Sequence, residues 1–156
     1  MFTSGGAISV VLRKLLGLED ARTLVLSATL ANASAMARVL KDDGRDVVFV
    51  GSGTDGKPAP EDVDGGATIA DAMLRLGGDG VTLSDAMRAR IADSSWLSNA
   101  FGVDRLRDTP SGHNIINASL DADIPFIARV DVVRCVGEVR YEPEFARITR
   151  LDAAGV

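Results

Sequence analysis

Residues 47–66 read VVFVGSGTDGKPAPEDVDGG, and the fold turns on how this stretch is parsed. Val47–Val50 is an uninterrupted apolar run, the pattern of a short buried strand. Gly51, Gly53 and Gly56 follow within six residues. They give a loop whose backbone can take φ > 0 and approach a bound group closely. Pro58 and Pro60 then space a turn, and Glu61-Asp62 opens a helix. Two carboxylates at that point favour the positive end of the helix dipole. Strand, glycine loop and acidic helix start, in that order, is how an α/β sheet presents a ligand site at its carboxyl edge. The plainer reading is a tight turn before an ordinary acidic first turn.

Outward from this stretch, the chain supplies the rest of an α/β unit. Arg22–Ala28 (RTLVLSA) is a second apolar strand, and Asn32–Asp43 is a helix with Ala33, Met36, Ala37 and Leu40 on one face and Gly44 as its stop. A strand, a helix and a strand with short returns predict a parallel pair with a right-handed crossover. On that arrangement the loop holding Asn32 emerges beside the glycine loop, although the ordinary role of Asn32 is helix N-cap. Pro60–Leu76 is the next helix, with Val63, Ala67, Ala70, Met73 and Leu74 facing inward. Gly65-Gly66 costs this helix roughly 1 kcal/mol per residue against Ala, which suggests a close backbone approach.

Elsewhere the pattern is plainer. Ala7–Leu16 has helical spacing, with Ser4, Gly5 and Gly6 just ahead of it, either as simple capping or as an anion-holding helix start. Thr82–Asp85 reads as a capping box before a helix containing Met87 and Ile91. Trp96, Leu97, Ala100 and Phe101 are spaced as a helix that Pro110-Ser111-Gly112 breaks. Ile124–Val130 and Val132–Val139 read as two further strands, and the tail from Glu142 as a short helix or a loose end.

Composition sets limits. At 156 residues, 46% hydrophobic and 4% aromatic, the chain 1–156 is expected to be one domain with an aliphatic core. A net charge of -5 argues against a nucleic-acid or anionic-membrane surface. Cys135 stands alone in an apolar run, which fits a buried strand residue in a reducing compartment. His113 is the sole histidine, so no zinc constellation is present. No apolar run approaches a membrane span and no leader pattern is visible, so the expected setting is cytoplasmic.

The ordered blocks resemble the 2-phosphosulpholactate phosphatases. The counterparts of that family's motifs are Asn32-Ala33-Ser34-Ala35, Gly53-Thr54 with Gly56, Glu61-Asp62 with Gly66-Ala67, and Ser84-Asp85-Ala86, in family order from about residue 21 to 136. Two departures stand out: Thr3-Ser4-Gly5-Gly6 replaces a TTNGT segment, and Gly51 replaces a cysteine. The family's DVLRATT and GNSP segments, from its N-terminal half, have no counterpart among these residues.

The resemblance implies a three-layer α/β/α sandwich with a mostly parallel or mixed sheet. It also implies Mg²⁺-dependent hydrolysis of a phosphate monoester on a small, acidic, sulfonated hydroxy acid. Under it, Glu61 and Asp62 are the catalytic, metal-holding carboxylates. Asn32, Gly53, Thr54 and Gly56 face the small anionic phosphorylated substrate. Successive helical residues point about 100° apart, so both carboxylates serve one ion only if the helix start frays or one acts through water. Lys57, on a Pro-flanked turn, is expected to point to solvent. The unmatched segments lead to an expected homo-oligomer, or a hetero-oligomer with a subunit supplying the N-terminal half. The alternatives are a non-catalytic interaction or scaffold subunit, and an enzyme acting on another small acidic metabolite.

Overall fold

The computed structural model describes residues 24–77, 80–93, 99–141 and 146–151. The helix expected over Ala7–Leu16, the Ser4–Gly6 helix start, and Trp96 and Leu97 lie outside these residues. In chain order the elements are β1 (Leu26–Ser27), α1 (Ala33–Asp43), α2 (Pro60–Arg75), α3 (Asp85–Ala92), α4 (Asn99–Arg107), α5 (Pro110–Asn117), α6 (Ile124–Ile127), β2 (Val136–Tyr141) and β3 (Ala146–Leu151). Single 3₁₀ turns precede α1 (Leu30–Asn32) and α6 (Asp121–Asp123).

The two long helices begin and end where local chemistry dictates. Gly44 closes α1 in the left-handed conformation, φ 71°, and its N–H returns to the Leu40 carbonyl. Pro60 opens α2 at a position where the missing N–H costs nothing. The two helices pack on each other through Ala33, Met36 and Ala37 of α1 and Ile69, Ala72 and Met73 of α2. Val136 of β2 and Leu26 of β1 close this core from the sheet side. Met36, Ile69 and Val136 are almost wholly buried, and each such side chain stabilises the fold by about 1.5–3 kcal/mol. A smaller cluster joins Leu106, Ile124 and Ala128 under α4 and α6.

The sheet corrects the expected topology. It is three-stranded, in the order β1-β2-β3, and both pairings are antiparallel. Leu26 faces Glu138 and Ser27 faces Gly137, while β2 and β3 run in register from Val136↔Leu151 to Tyr141↔Ala146. Val47–Val50 belongs to none of the described strands. Its residues alternate: Val47 and Phe49 pack against the core, whereas Val48 and Val50 are 74% and 48% exposed. The parallel strand–helix–strand pair is therefore absent among the described residues, and so is the sandwich of helices on both faces of a parallel sheet. The physical reason is that an apolar run fixes burial but not partner. The partner of β1 comes from 110 residues further on, and Val139 N–H donates to Val25 O at 2.8 Å.

Three other expectations change for local reasons. Ile124–Ile127 is a helical turn, with Ile124 fully buried and Phe126 59% exposed. Four apolar residues suit either conformation, and Pro125 sits comfortably in a first turn. Pro110 likewise starts α5 instead of ending a helix. Thr109 caps it, its hydroxyl accepting from Gly112 N–H at 3.0 Å. The N-cap of α3 is Ser84, which accepts from Met87 N–H, rather than Thr82. Among the described residues no helix is long and apolar enough to cross a membrane.

Candidate functional site

The glycine loop is a compact, internally bonded structure. Thr54 N–H donates to Lys57 O at 2.9 Å and Lys57 N–H donates back to Thr54 O at 3.0 Å. Between them Asp55 and Gly56 both have positive φ, 52° and 72°. That is the two-residue turn for which Asp-Gly is a favoured sequence. Gly53 also has positive φ, 67°, and a Cβ there would collide with the Lys57 carbonyl oxygen.

Asp62, in the first turn of α2, holds this loop from the other side. Its Oδ2 accepts the Gly53 N–H at 2.7 Å. Gly51 lies so close that an added Cβ would stand 2.9 Å from the Asp62 Cβ. One turn on, Gly66 performs a similar service: a Cβ there would meet the Phe49 side chain at 3.2 Å. This is the close approach expected from Gly65-Gly66, and Gly66 alone makes it.

The neighbouring carboxylates of α2 serve another direction. Both carboxylate oxygens of Glu61 are buried, and no hydrogen-bond partner meets them among the described residues. Asp64, one turn further, is 6% exposed and lies between two guanidinium groups. Arg90 of α3 pairs with its Oδ1, and Arg105 Nε of α4 lies 3.1 Å from its Oδ2. Residues three apart share a helix face, so Glu61 lies on the face of α2 that carries Asp64, about 100° from Asp62. The Thr54 hydroxyl meets the Ser111 hydroxyl at 2.5 Å, which ties the loop to the first turn of α5.

Asn32 is built into the backbone of its own junction. Its Oδ1 accepts from Thr29 N–H at 2.9 Å, and its Nδ2 donates to the Cys135 carbonyl at 3.1 Å. The first turn of α1 is capped instead by Asp131. Its carboxylate accepts from Ser34 N–H and from the Ser34 hydroxyl, each at 2.6 Å. Asp131 adopts φ 57°, a conformation that Asp tolerates better than most residues. Asn32 and Asp131 thus join the NASA segment to the chain entering β2.

A cleft of about 520 Å³ opens beside the loop. Gly53, Gly56, Lys57 and Asp62 contribute its polar side, and Phe49, Val63 and Met87 contribute apolar wall. Of the residues singled out from sequence, the structure thus brings Gly53, Gly56 and Asp62 to the cleft. Asn32, Thr54 and Glu61 are not among its lining residues. Lys57 is exposed and lines the cleft, where it is the one cationic side chain among the described lining residues. Sequence reasoning missed Arg90, Arg105 and Asp131, since their partners lie 26, 41 and 97 residues away. The Asp55-Gly56 pair was a readable signal for the turn itself. Among the described residues no group of three or more His, Cys, Asp or Glu side chains is arranged to hold a metal.

Fold and cleft together define a mixed α/β protein with a glycine-loop cleft at a helix start. The model of the 2-phosphosulpholactate phosphatase family matches residues 13–142. That span takes in the loop, α1, α2 and the whole of β2, and the chain belongs to this phosphatase family. No curated protein matches the chain.

Proposed function

We propose that this chain contributes to Mg²⁺-dependent hydrolysis of a small anionic phosphate monoester, bound in the glycine-loop cleft. The observation that carries the reading is the meeting of Lys57, Gly53, Gly56 and Asp62 at the start of α2, in a chain of a phosphatase family. Lys57 would offset phosphoryl charge, and Asp62 would keep the loop open by holding the Gly53 amide. The donor set fits a magnesium ion, which takes one or two carboxylates and keeps waters and substrate oxygens as its other ligands. Asp62, which lines the cleft and whose Oδ2 alone is engaged by Gly53, would hold it. Glu61, whose carboxylate oxygens are buried without a partner among the described residues but which lies on another face of α2, would reach it only through a water. When bound, the ion would supply charge neutralisation at the phosphoryl oxygens.

We also propose a cytoplasmic, oligomeric protein, in which a partner subunit or a second copy supplies further phosphate-binding groups and completes a larger layered sheet. Support comes from Val48 and Val50, apolar and exposed on a run outside the described sheet. A non-catalytic interaction subunit is the second reading. It is favoured by the engagement of Asn32, Gly53 and Thr54 polar groups within the chain itself. An enzyme acting on another small acidic metabolite is the third.

The deciding assay is phosphate release from 2-phosphosulpholactate with Mg²⁺, by the chain alone and with a candidate partner, alongside sedimentation. Turnover that Mg²⁺ restores after chelation supports the enzyme. Partner binding with no phosphate release under any combination supports the interaction subunit.

A further inference from the structure

Aspartate followed by glycine is the sequence at which a chain can attack itself, because glycine carries no side chain to shield its nitrogen. Three such pairs lie wholly within the described residues: Asp43-Gly44, Asp55-Gly56 and Asp64-Gly65. Two of them are held at both reacting groups. Gly44 N–H donates to Leu40 O at 3.1 Å, and the Asp43 carboxylate pairs with Arg45 at 2.6 Å. Gly65 N–H lies in the ladder of α2, and the Asp64 carboxylate is shared by Arg90 and Arg105. Asp55-Gly56 differs. Both residues are exposed, and among the described residues no hydrogen bond or ion pair holds the Gly56 N–H or the Asp55 carboxylate. A Cβ at Gly56 would meet nothing within 4 Å, so the approach is open.

We propose that Asp55-Gly56 is a self-modification site, at which the loop of the folded protein converts to an isoaspartyl linkage. The Gly56 nitrogen attacks Cγ of the Asp55 carboxyl in its acid form. A C–N bond forms, the Cγ–OH bond breaks, and the hydroxyl leaves with the amide proton as water, closing a succinimide. No electrons change hands, so neither oxidant nor reductant is needed. Water then reopens the ring. Addition at the main-chain carbonyl routes the chain through Cβ and Cγ and frees an α-carboxylate. That linkage places an extra backbone carbon in a two-residue turn closed by the Thr54 and Lys57 bonds of 2.9 and 3.0 Å, which it breaks. The Lys57 carbonyl also packs against Gly53, and Gly56 and Lys57 line the cleft, so the change reaches the whole loop. The modified loop is the class of substrate on which isoaspartyl methyltransferases act.

The test incubates the purified full chain at neutral pH, folded and in urea. Isoaspartate at each position is read by labelling with an isoaspartyl methyltransferase and by fragmentation in a mass spectrometer. In the folded protein Asp55 is expected to convert at least about tenfold faster than Asp43 or Asp64, which react only through local opening. In urea the three rates should converge. Amide exchange follows the consequence. Protection at the Thr54 and Lys57 amides should fall as isoaspartate rises, and Asp55→Ser, which cannot cyclise, should keep it through the same incubation. Conversion at Asp55 no faster than at Asp64 in the folded chain overturns the inference. Conversion seen only in urea also overturns it, since the turn would then protect its own bond. Isoaspartate formed with Thr54 and Lys57 protection intact upholds the modification site and overturns its effect on the loop. None of these outcomes depends on what the cleft binds.

Discussion

The Asp62 carboxylate accepts the backbone N–H of Gly53 at 2.7 Å, across nine residues of chain that contain the whole glycine turn. The bond makes the loop and the first turn of α2 one unit, so loop geometry depends on a side chain outside it. Asp62→Ala is expected to cost about 1–2 kcal/mol, because a charge-assisted bond to an amide is lost. Asp62→Asn keeps an acceptor and should recover most of this. Hydrogen exchange at the Gly53 amide is the measurement. Protection unchanged in Asp62→Ala would mean that the turn stands without its anchor.

Gly53 and Gly56 differ in a way that separates strain from collision. Both have positive φ, but only at Gly53 would a Cβ strike the Lys57 carbonyl oxygen, whereas Gly56 faces open space. Gly56→Ala should therefore cost about 1 kcal/mol for backbone conformation alone, and Gly53→Ala clearly more. Urea unfolding of the two variants tests the order. Equal losses would show that the loop relaxes around an added methyl group.

Much of this was legible because it is local. The Asn32–Asp43 and Pro60–Leu76 helices expected from pattern are observed as Ala33–Asp43 and Pro60–Arg75. Their stop and start, Gly44 and Pro60, act through their own backbone chemistry. The positive φ at Gly53 and Gly56 was readable for the same reason. Strand partners were not readable. Val47–Val50 has the composition of a central strand, yet β1 pairs with β2, and nothing within either segment encodes that choice. The same applies to charge. Arg90 and Arg105 look like surface residues of two separate helices until the fold carries both to Asp64.

Asp64 is the buried member of that trio, and its loss should be expensive. Replacing it with Ala leaves Arg90 and Arg105 with side chains 18% and 29% exposed and their shared partner gone. A loss on the order of 2–4 kcal/mol is expected, within the range for breaking a buried pair by removing one member. Arg88→Ala, which breaks only the exposed pair with Asp85, should cost less than about 1 kcal/mol. Thermal unfolding of both variants makes the comparison. Similar melting temperatures would show that Asp64 contributes no more than a surface charge.

Glu61 gives the prediction with the most distinctive sign. Its carboxylate oxygens are buried and lack a partner among the described residues, and an ionised carboxylate so placed is destabilising until a cation or donor meets it. Arg90 of α3 and Arg105 of α4 meet Asp64, one helical turn along α2 from Glu61, and Arg90 also pairs with Asp93. Removing the charge should then have opposite effects with and without metal. In chelator, Glu61→Gln is expected to be as stable as the parent protein or more stable by about 1 kcal/mol, since an uncompensated charge is gone. With millimolar Mg²⁺ the parent protein should gain stability through binding linkage, about 2.7 kcal/mol when the ion stands at a hundred times its dissociation constant. The variant should gain much less. Melting curves of both proteins, each with chelator and with Mg²⁺, give the four values needed, and none depends on finding the substrate. A Mg²⁺ gain of equal size in both proteins would place the ion elsewhere. A Glu61→Gln variant markedly less stable in chelator would show instead that the carboxylate is needed by the fold without any metal.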